Sequence, residues 1–364
     1  MHVIPVILAG GIGERFWPMS RSSFPKQLHA IGSGKTMLEE TLLRVNSLCD
    51  GDAKPMLITG AGIANKVTEM LGGNIAAQIE IIAEPAGKNT APAIALAAAV
   101  FKRRYGDAIM AVVSADHAIS PADKFMNAVQ RAINIAVERD ELVVFGIKPT
   151  RPETGYGYIE LGKSLIKVEP AGTGAYEIQK FVEKPSIEKA EMFVESGNFL
   201  WNSGMFVWKA STILEEFERH MPDLYKQVMD AAEKDFSAEA VNEFYAVCRA
   251  ESIDFGIMEK TKRVSAVCGD FFWDDLGSWE ALSRIHENNK SGTTVTGPLV
   301  YEKDCANSIV VNKSAHTVAA IGLHNVAVIA VDDAILVIDR SRLPNLKKYL
   351  GEIKNSGKFP GELF

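Results

Sequence analysis

A loop rich in glycine and cations follows the first apolar stretch of the chain. Its glycines and cations are Gly10, Gly11, Gly13, Arg15, Arg21 and Lys26. Glycine lets a backbone approach a ligand closely and exposes N–H groups that can point at an anion. Arginine binds phosphate oxygens in a bidentate manner, and lysine supplies a compact charge. Because the preceding run from Val6 to Ala9 predicts a buried parallel strand, we expect a triphosphate-binding loop at its carboxyl end.

Two familiar phosphate-binding patterns do not match this part of the chain. The dinucleotide pattern G-x-G-x-x-G would need a third glycine where Phe16 stands. A P-loop ending at Thr36 would need its first glycine at His29, and no buried strand leads into it. Thr36 followed by Glu39 instead predicts a capping box at the start of a helix. An ordinary turn with solvated charges is the remaining alternative for the cationic loop.

Two aspartates from distant segments are candidates for metal ligands. Asp116 follows the apolar run 108–113, and Asp275 lies in the motif Trp273-Asp-Asp-Leu-Gly277. Carboxylates together with water and phosphate oxygens are the usual ligands of Mg²⁺. We therefore expect Asp116 and Asp275 to hold Mg²⁺ over a triphosphate. A helix N-cap is the alternative for either residue, and Asp274 is a neighbour that could take the metal role.

Further polar residues suit a sugar phosphate and a base. Lys184 ends a predicted strand and could bind a second phosphate, while Glu183 accepts hydrogen bonds from sugar hydroxyls. Asn202 is followed by a flexible glycine and also suits hydroxyl recognition. Glu84 could accept hydrogen bonds from guanine N1–H and N2–H₂, which adenine does not offer. A plain capped helix start at Asn89 is the alternative for that segment.

The chain offers no nucleophile–base pair, and a nucleotidyl transfer needs none. A sugar 1-phosphate is largely dianionic near neutral pH, because its second pKa is about 6. Its oxygen can attack the α-phosphorus of a nucleoside triphosphate directly and expel pyrophosphate. The protein then has to align the reactants and neutralise charge. The residue types above match that requirement.

Composition excludes several other classes of function. The 364 residues carry a net charge of −7, which argues against nucleic acid as a general partner. The four cysteines show no C-x-x-C spacing, which predicts reduced thiols in a cytoplasmic protein. No apolar run approaches the roughly 18 residues of a membrane span, so we expect no membrane association.

The order of predicted elements indicates an α/β protein. Strands and helices alternate over residues 1–150, which predicts a Rossmann-like, doubly wound parallel sheet with the site at its carboxyl edge. Residues 151–290 contain half-exposed antiparallel strands and helices that we assign to a second lobe. Short strands from about residue 291 predict a small β domain of β-helix type. The predicted domains are therefore 1–290, with a nucleotide half and a sugar-phosphate half, and 291–364.

Taken together, these motifs resemble those of the mannose-1-phosphate guanylyltransferases over nearly the whole chain. The matching stretches are residues 8–21, Pro25-Lys26-Gln27, residues 84–93, Phe181-Val-Glu-Lys-Pro185, Trp201-Asn-Ser-Gly-Met-Phe206, Ser252-Ile-Asp-Phe-Gly-Ile-Met-Glu259 and Trp273-Asp-Asp-Leu-Gly-Ser-Trp279. Asp274 departs from the pattern, since a small polar residue is expected there.

The resemblance implies a Mg²⁺-dependent reaction of GTP with mannose 1-phosphate that gives GDP-mannose and pyrophosphate. It implies that Arg15 and Lys26 bind the triphosphate and that Lys184 binds the sugar phosphate. It also assigns residues to the other subsites. These are Leu8, Gly10, Gly11, Gly13, Glu84, Asn89 and Asp116 for the nucleotide, Gly157, Glu183 and Asn202 for the sugar, and Asp116 and Asp275 for the metal.

The family's C-terminal segment is a short left-handed β-helix that supports dimerisation, so the resemblance implies a homodimer. Larger bifunctional members carry an added cupin domain. Since this chain ends at Phe364, we expect the transferase activity alone.

Two alternatives remain open on the sequence. The sugar could be another 1-phosphate, such as a manno-heptose, or the nucleotide could differ, because spacing does not report a single hydroxyl. The chain could also be a non-catalytic regulatory subunit that binds nucleotide sugars. That hypothesis predicts loss of Arg15, Lys26 or the aspartates, and all of them are present.

Overall fold

A computed structural model gives the fold and describes residues 1–49, 52–166 and 174–364. The strands of this part of the chain are β1 (His2–Ala9), β2 (Met56–Gly60), β3 (Glu80–Glu84), β4 (Ala108–Ser114), β5 (Ala118–Ser120), β6 (Leu142–Ile147), β7 (Tyr158–Ile166), β8 (Ala175–Val182), β9 (Phe199–Lys209), β10 (Val264–Gly269), β11 (Phe272–Asp274), β12 (Thr294–Thr296), β13 (Val300–Lys303), β14 (Ile309–Asn312), β15 (Val318–Ile321), β16 (Val326–Val331) and β17 (Ala334–Asp339). The α-helices are α1 (Met37–Val45), α2 (Ala61–Ala76), α3 (Thr90–Tyr105), α4 (Ala122–Arg139), α5 (Ile187–Ser196), α6 (Ala210–His220), α7 (Pro222–Glu233), α8 (Ala238–Val247), α9 (Leu282–Ile285) and α10 (Leu346–Asn355).

The chain divides into two compact units, each built from separate stretches of sequence. Unit 1 contains residues 1–10, 41–115 and 119–273. Unit 2 contains residues 11–40, 116–118 and 274–364. The functional boundary near residue 290 that the sequence predicts stays a prediction.

Unit 1 is organised around a nine-stranded mixed sheet with the order β3-β2-β1-β4-β9-β6-β10-β8-β7. The parallel pairing predicted from the alternation of strands and helices is confirmed for β3, β2, β1 and β4. The complete sheet is mixed, because β9 from residues 199–209 inserts antiparallel between β4 and β6, which themselves run in the same direction. β9 is apolar and buried along almost its whole length, which requires a central place in a sheet. The strands assigned to a second lobe therefore extend the same sheet.

Helices cover both faces of this sheet. Successive side chains of a strand point to opposite faces, so Val144 and Phe145 of β6 face different layers. Val144 belongs to the core that α3, α6, α7 and α8 form with the sheet. The ring of Phe145 lies 6.1 Å from the ring of Phe125 on α4. The alanine-rich α3 is buried over most of its length, because small side chains allow it to approach the strands closely.

Unit 2 combines the cationic loop with the C-terminal strands. β12, β14 and β16 pair in parallel, and β17 adds antiparallel to β16. β13 and β15 form a second parallel pair. The core of the unit contains Phe16 and Trp279 together with Ile309, Ile329 and Leu346. Phe16 thus stands at the third glycine position of a dinucleotide motif because its ring belongs to a hydrophobic core.

Aromatic residues of the loop bind the end of the chain within unit 2. The ring of Phe16 lies 4.9 Å from that of Trp279, whose indole N–H donates to the Trp17 carbonyl at 2.9 Å. The Trp17 indole N–H donates to the Leu363 carbonyl at 2.6 Å, and its ring stacks on Phe364. These contacts hold the loop to the C-terminal part of its own unit.

The predicted capping box is confirmed at the start of α1. The Thr36 backbone N–H donates to Glu39 Oε2 at 2.7 Å, and the Glu39 backbone N–H donates to Thr36 Oγ1 at 3.2 Å. The two residues thereby satisfy backbone donors that the first turn of a helix leaves unpaired.

None of the helices in the described ranges is long and apolar enough to cross a membrane.

Phe16→Ala should destabilise the protein strongly. The side chain is fully buried, and removing a buried phenylalanine costs about 3–5 kcal/mol in the free energy of unfolding. Ile12→Ala is a matched control from the same loop, because Ile12 is 41% exposed and surface changes stay within about 0.5 kcal/mol. Urea unfolding of both variants measures the difference. Equal stabilities would contradict the placement of Phe16 in the core.

Candidate functional site

The residues proposed for the site from the sequence fall into two groups, one in each unit. Unit 1 holds Leu8, Gly10, Glu84, Asn89, Gly157, Glu183, Lys184 and Asn202. Unit 2 holds Gly11, Gly13, Arg15, Lys26, Asp116 and Asp275. The members of each group come from stretches far apart in the sequence.

In unit 2 the cationic loop folds back on itself at Gly13. This residue has a φ of 76°, and a Cβ there would overlap the Lys26 side chain. The Lys26 backbone N–H donates to the Ile12 carbonyl at 3.1 Å, which fastens the two ends of the turn together. Arg15 lies on the intervening short helical turn and is exposed to solvent. Only glycine permits both the backbone angle and the close approach at this position.

Lys26 is the centre of the unit 2 group. Its side chain is almost completely buried, and its ammonium lies 2.6 Å from Asp116 Oδ2. The same ammonium donates to the backbone carbonyls of Asp275 and Leu276, both at 2.9 Å. A lysine has three N–H donors, so these three acceptors satisfy the ammonium. The predicted phosphate ligand is therefore also the group that brings Asp116 and residue 275 together.

Arg21, the third cation of the loop, has a structural partner. Its guanidinium binds the carboxylate of Asp333 through both terminal nitrogens, with Nη1 2.6 Å from Oδ2. Its Nε donates to the Pro18 carbonyl at 3.1 Å. Bidentate pairing of this kind fixes geometry as well as charge. Arg21 thus anchors the loop to the C-terminal strands of unit 2.

Asp274 and Asp275 have different surroundings. Asp274 is buried, and both of its carboxylate oxygens receive hydrogen bonds from Arg284. Its Oδ1 also accepts the Leu276 backbone N–H at 2.8 Å. Asp275 accepts the Gly277 backbone N–H at 2.9 Å, which makes a tight turn before the next helical segment. That segment has Ser278 at its N-cap, so Asp275 does not cap it.

In unit 1 the base-recognition candidates surround the end of β3. Glu84 is buried, and its Oε1 accepts the Tyr245 hydroxyl at 2.9 Å. A Cβ on Gly10 would lie 3.1 Å from Glu84 Oε2, so glycine leaves room for that oxygen. Asn89 is the N-cap of α3 and accepts the Thr90 backbone N–H at 2.9 Å. The capped helix start that the sequence left as an alternative is confirmed. A helix start capped by Asn89 still leaves this residue able to lie next to a bound base.

Leu8 completes the nucleotide group of unit 1. It lies in β1, one residue before the end of the strand, and is partly buried. Its backbone carbonyl accepts the Ala115 N–H at 2.9 Å.

The sugar candidates also cluster in unit 1. A side chain on Gly157 would overlap Glu183 Oε2 and come within 3.1 Å of the Asn202 side chain. The Asn202 backbone N–H donates to the Gly157 carbonyl at 2.8 Å. Lys184 Nζ lies 3.4 Å from Glu183 Oε1 and is more than half exposed. The structure thus brings Gly157, Glu183, Lys184 and Asn202 together.

Two further carboxylates hold this cluster in place. Asp254 is partly buried at the start of a π-helical turn and accepts the Asn202 side-chain amide at 2.8 Å. Glu259 accepts the Glu183 backbone N–H at 3.0 Å. Burial raises the pKa of Asp254, with Asn202 and Lys184 opposing the effect. Burial also raises the pKa of Glu183 to about 7, with Asp254 and Glu259 adding to the shift and Lys184 opposing it.

Sequence reasoning missed four residues that position the candidates: Tyr245, Asp254, Glu259 and Arg284. Asp254 and Glu259 belong to the motif at residues 252–259, which was noted only as part of the resemblance. That motif was therefore a usable signal for both. Tyr245 lies on an ordinary amphipathic helix, and no local pattern distinguishes it.

Comparison with known proteins identifies the family of the chain. Residues 4–292 match the nucleotidyl transferase family. A mannose-1-phosphate guanylyltransferase 2 of Escherichia coli O157:H7 is 39% identical over 360 residues, covering 97% of this chain and 73% of the relative. A mannose-1-phosphate guanylyltransferase of Escherichia coli K12 is 38% identical, covering 97% of this chain and 74% of the relative.

This chain belongs to the mannose-1-phosphate guanylyltransferase family. The fold agrees with that assignment. A crystal structure from Thermus thermophilus, described as a mannose-1-phosphate geranyltransferase, has 31% sequence identity and a TM-score of 0.85. The match covers 97% of this chain and all of that one.

Nucleotidyltransferases of this kind generally depend on a divalent metal ion, and the donor set of unit 2 fits one. Asp116 and Asp275 supply carboxylate oxygens, and Lys26 links the two positions through one ammonium. Mg²⁺ is usually bound through one or two carboxylates plus substrate phosphates. Asp274 fits less well, because Arg284 binds both of its oxygens. Within the described residues, no group of three or more His, Cys, Asp or Glu side chains is arranged to hold a metal without a substrate.

The stability of the protein should depend on the protonation of Glu183. Its folded-state pKa is about 7, whereas the unfolded value is about 4.3. The protonated Glu183 side chain therefore stabilises the folded state fully below about pH 4.3. This stabilisation is lost as pH rises through about 7. We expect the thermal midpoint of the wild type to fall, relative to Glu183→Gln, between pH 5 and pH 8. Parallel pH dependences in the two proteins would contradict the raised pKa.

Proposed function

We propose that this chain transfers GMP from GTP to α-D-mannose 1-phosphate, giving GDP-mannose and pyrophosphate. The observation that carries the proposal is that the buried ammonium of Lys26, a residue of the glycine-rich loop, binds the carboxylate of Asp116. This charged cluster occurs in a chain that matches mannose-1-phosphate guanylyltransferases over 97% of its length. The proposed reaction is a direct in-line attack of the sugar phosphate on the α-phosphorus of GTP.

The sugar phosphate supplies its own nucleophile in this mechanism. Its phosphate is largely dianionic near neutral pH, since the second pKa is about 6. Lys184 binds that phosphate with an ammonium that is more than half exposed and therefore within reach of a ligand. Glu183, Asn202 and the backbone of Gly157 bind the sugar hydroxyls. Alignment of this kind lowers the barrier by fixing the reacting oxygen against phosphorus.

The triphosphate binds to the cationic loop. Backbone N–H groups of Gly11 and Gly13 point at its oxygens, and the exposed Arg15 binds them through its guanidinium. Lys26 adds a positive charge beneath the loop and holds Asp116 in position. These groups neutralise the charge that develops on the departing pyrophosphate.

In the proposed enzyme Asp116 and Asp275 would hold Mg²⁺, which would supply charge stabilisation for the phosphate oxygens of the substrates. Lys26 sets the position of both aspartates, because its ammonium contacts the side chain of one and the backbone of the other.

The guanine base is recognised by the unit 1 group. Glu84 accepts hydrogen bonds from guanine N1–H and N2–H₂, and Leu8, Gly10 and Asn89 border the nucleotide. Support for this assignment is the Glu84 carboxylate, which is buried and oriented by Tyr245.

The C-terminal strands are proposed to form a short left-handed β-helix. Parallel β12, β14 and β16 support this, together with a ladder in which Asn307 donates to Asn325 and Asn325 donates to Asp339. We further propose a homodimer that uses exposed apolar side chains of this region, such as Ile335 and Val337 on β17. The domain boundary near residue 290 and a cytoplasmic location are part of the same proposal.

Pyrophosphate release should select one pair of substrates. With Mg²⁺ present, GTP, ATP, CTP and UTP are each combined with mannose, glucose and manno-heptose 1-phosphates. We expect strong turnover only for GTP with mannose 1-phosphate. A different preferred pair would keep the transfer mechanism and change the specificity. Binding of GDP-mannose without any turnover would contradict the enzymatic function.

Asp116→Asn and Asp275→Asn should each lower turnover by at least about 100-fold, as is typical when a group that stabilises transition-state charge is lost. The magnesium concentration for half-maximal rate should rise in both variants. Asp270→Asn is the control, because Asp270 is exposed and forms only a surface pair with Lys124. Unchanged turnover and magnesium dependence in both site variants would remove the metal assignment.

A further inference from the structure

A tyrosine on α8 contacts the carboxylate that is proposed to select guanine. Tyr245 is almost completely buried, and its hydroxyl donates to Glu84 Oε1 at 2.9 Å. The two residues are 161 positions apart in the sequence, so this contact exists only in the folded unit. Burial beside the carboxylate raises the pKa of Tyr245, which keeps the hydroxyl protonated as a donor.

The hydrogen bond from Tyr245 binds Oε1 of the Glu84 carboxylate, and Gly10 lies beside Oε2. A Cβ at position 10 would lie 3.1 Å from Glu84 Oε2, so a larger residue there would crowd this oxygen. A glutamate side chain has three rotatable bonds, and a hydrogen bond to one oxygen removes much of that freedom. The orientation of Oε2 is therefore set by Tyr245.

Hydrogen bonds join the segment that follows Tyr245 to residues 88–91, which come shortly after Glu84. The Glu251 backbone N–H donates to the Lys88 carbonyl at 3.2 Å, and the Ala91 N–H donates to the Glu251 carbonyl at 3.1 Å. The Ile253 backbone N–H donates to Thr90 Oγ1 at 2.8 Å. These bonds hold residues 251–253 against residues 88–91, the stretch that follows Glu84.

We propose that Tyr245 is a positioning residue for nucleotide selection, whose hydroxyl holds the Glu84 carboxylate in the orientation that receives guanine N1–H and the 2-amino group. The inference rests on the proposed function, because it takes Glu84 as the guanine ligand. A site that hydrogen-bonds polar groups of its substrate discriminates strongly against analogues that lack them. Discrimination of this kind requires that the acceptor oxygens are aligned before the base binds.

The test compares Tyr245→Phe, which removes only the hydroxyl, with Glu84→Gln and the wild type. The substrates are GTP and inosine triphosphate, which keeps N1–H but lacks the 2-amino group. We expect Tyr245→Phe to raise the KM for GTP and to lower the preference for GTP over inosine triphosphate, each by about fivefold to tenfold. The value of kcat and the KM for mannose 1-phosphate should stay within about twofold of the wild type.

Tyr225→Phe is the matched control, because Tyr225 lies on α7 and packs against the same core. A purely structural role of Tyr245 would lower the thermal midpoint and leave the preference between the two nucleotides unchanged. That outcome, with Glu84→Gln still altering the preference, would overturn the inference and leave the role of Glu84 intact.

Calorimetric binding of GTP and inosine triphosphate separates this inference from the proposed function. If the wild type binds GTP selectively and Tyr245→Phe loses that selectivity, the inference is supported even without transfer activity. If Glu84→Gln leaves selectivity unchanged, the guanine assignment and the inference are both wrong.

Discussion

Unit 2 depends on one buried positive charge. An ammonium removed from water must be fully paired, because an unpaired buried charge is strongly destabilising. Lys26 meets this requirement with the Asp116 carboxylate and two carbonyls at residues 275 and 276. Three stretches of chain are therefore fixed relative to one another by a single group. The glycine at position 13 follows from the same constraint, because a larger residue would displace the lysine side chain.

Unit 1 has a comparable organising element in residues 245–259. Its first residue orients Glu84, and its later carboxylates bind Asn202 and the backbone of Glu183. One continuous segment thus supports both the residues proposed for the base and those proposed for the sugar. Because the hydrogen bonds of Tyr245 and Asp254 are buried or partly buried, small shifts of the segment would be felt at both groups at once.

Local patterns were sufficient to predict most elements, and long-range contacts account for what they missed. The helix start at Asn89 lies at the N-terminus of α3, and the capping box at Thr36 begins α1, because both depend on neighbouring residues only. α5 gives a weak sequence signal, because only Ala190 of that short helix is buried. The antiparallel place of β9 depends on pairing with distant strands, which no sequence window contains. Residue types and spacing found the cations and aspartates, but Tyr245 became visible only through its partner.

Because unit 2 is built from separate stretches of sequence, its parts fold in a different order from the order of their synthesis. A ribosome releases residues 11–40 long before residues 274–364 exist, yet Phe16 packs on Trp279 and Trp17 on Phe364. Domains generally fold as units during synthesis, and contacts distant in sequence form late. The nascent loop therefore keeps two large aromatic side chains exposed until residues 274–364 have been synthesised. Residues 11–40 are thus synthesised well before the residues that complete their core.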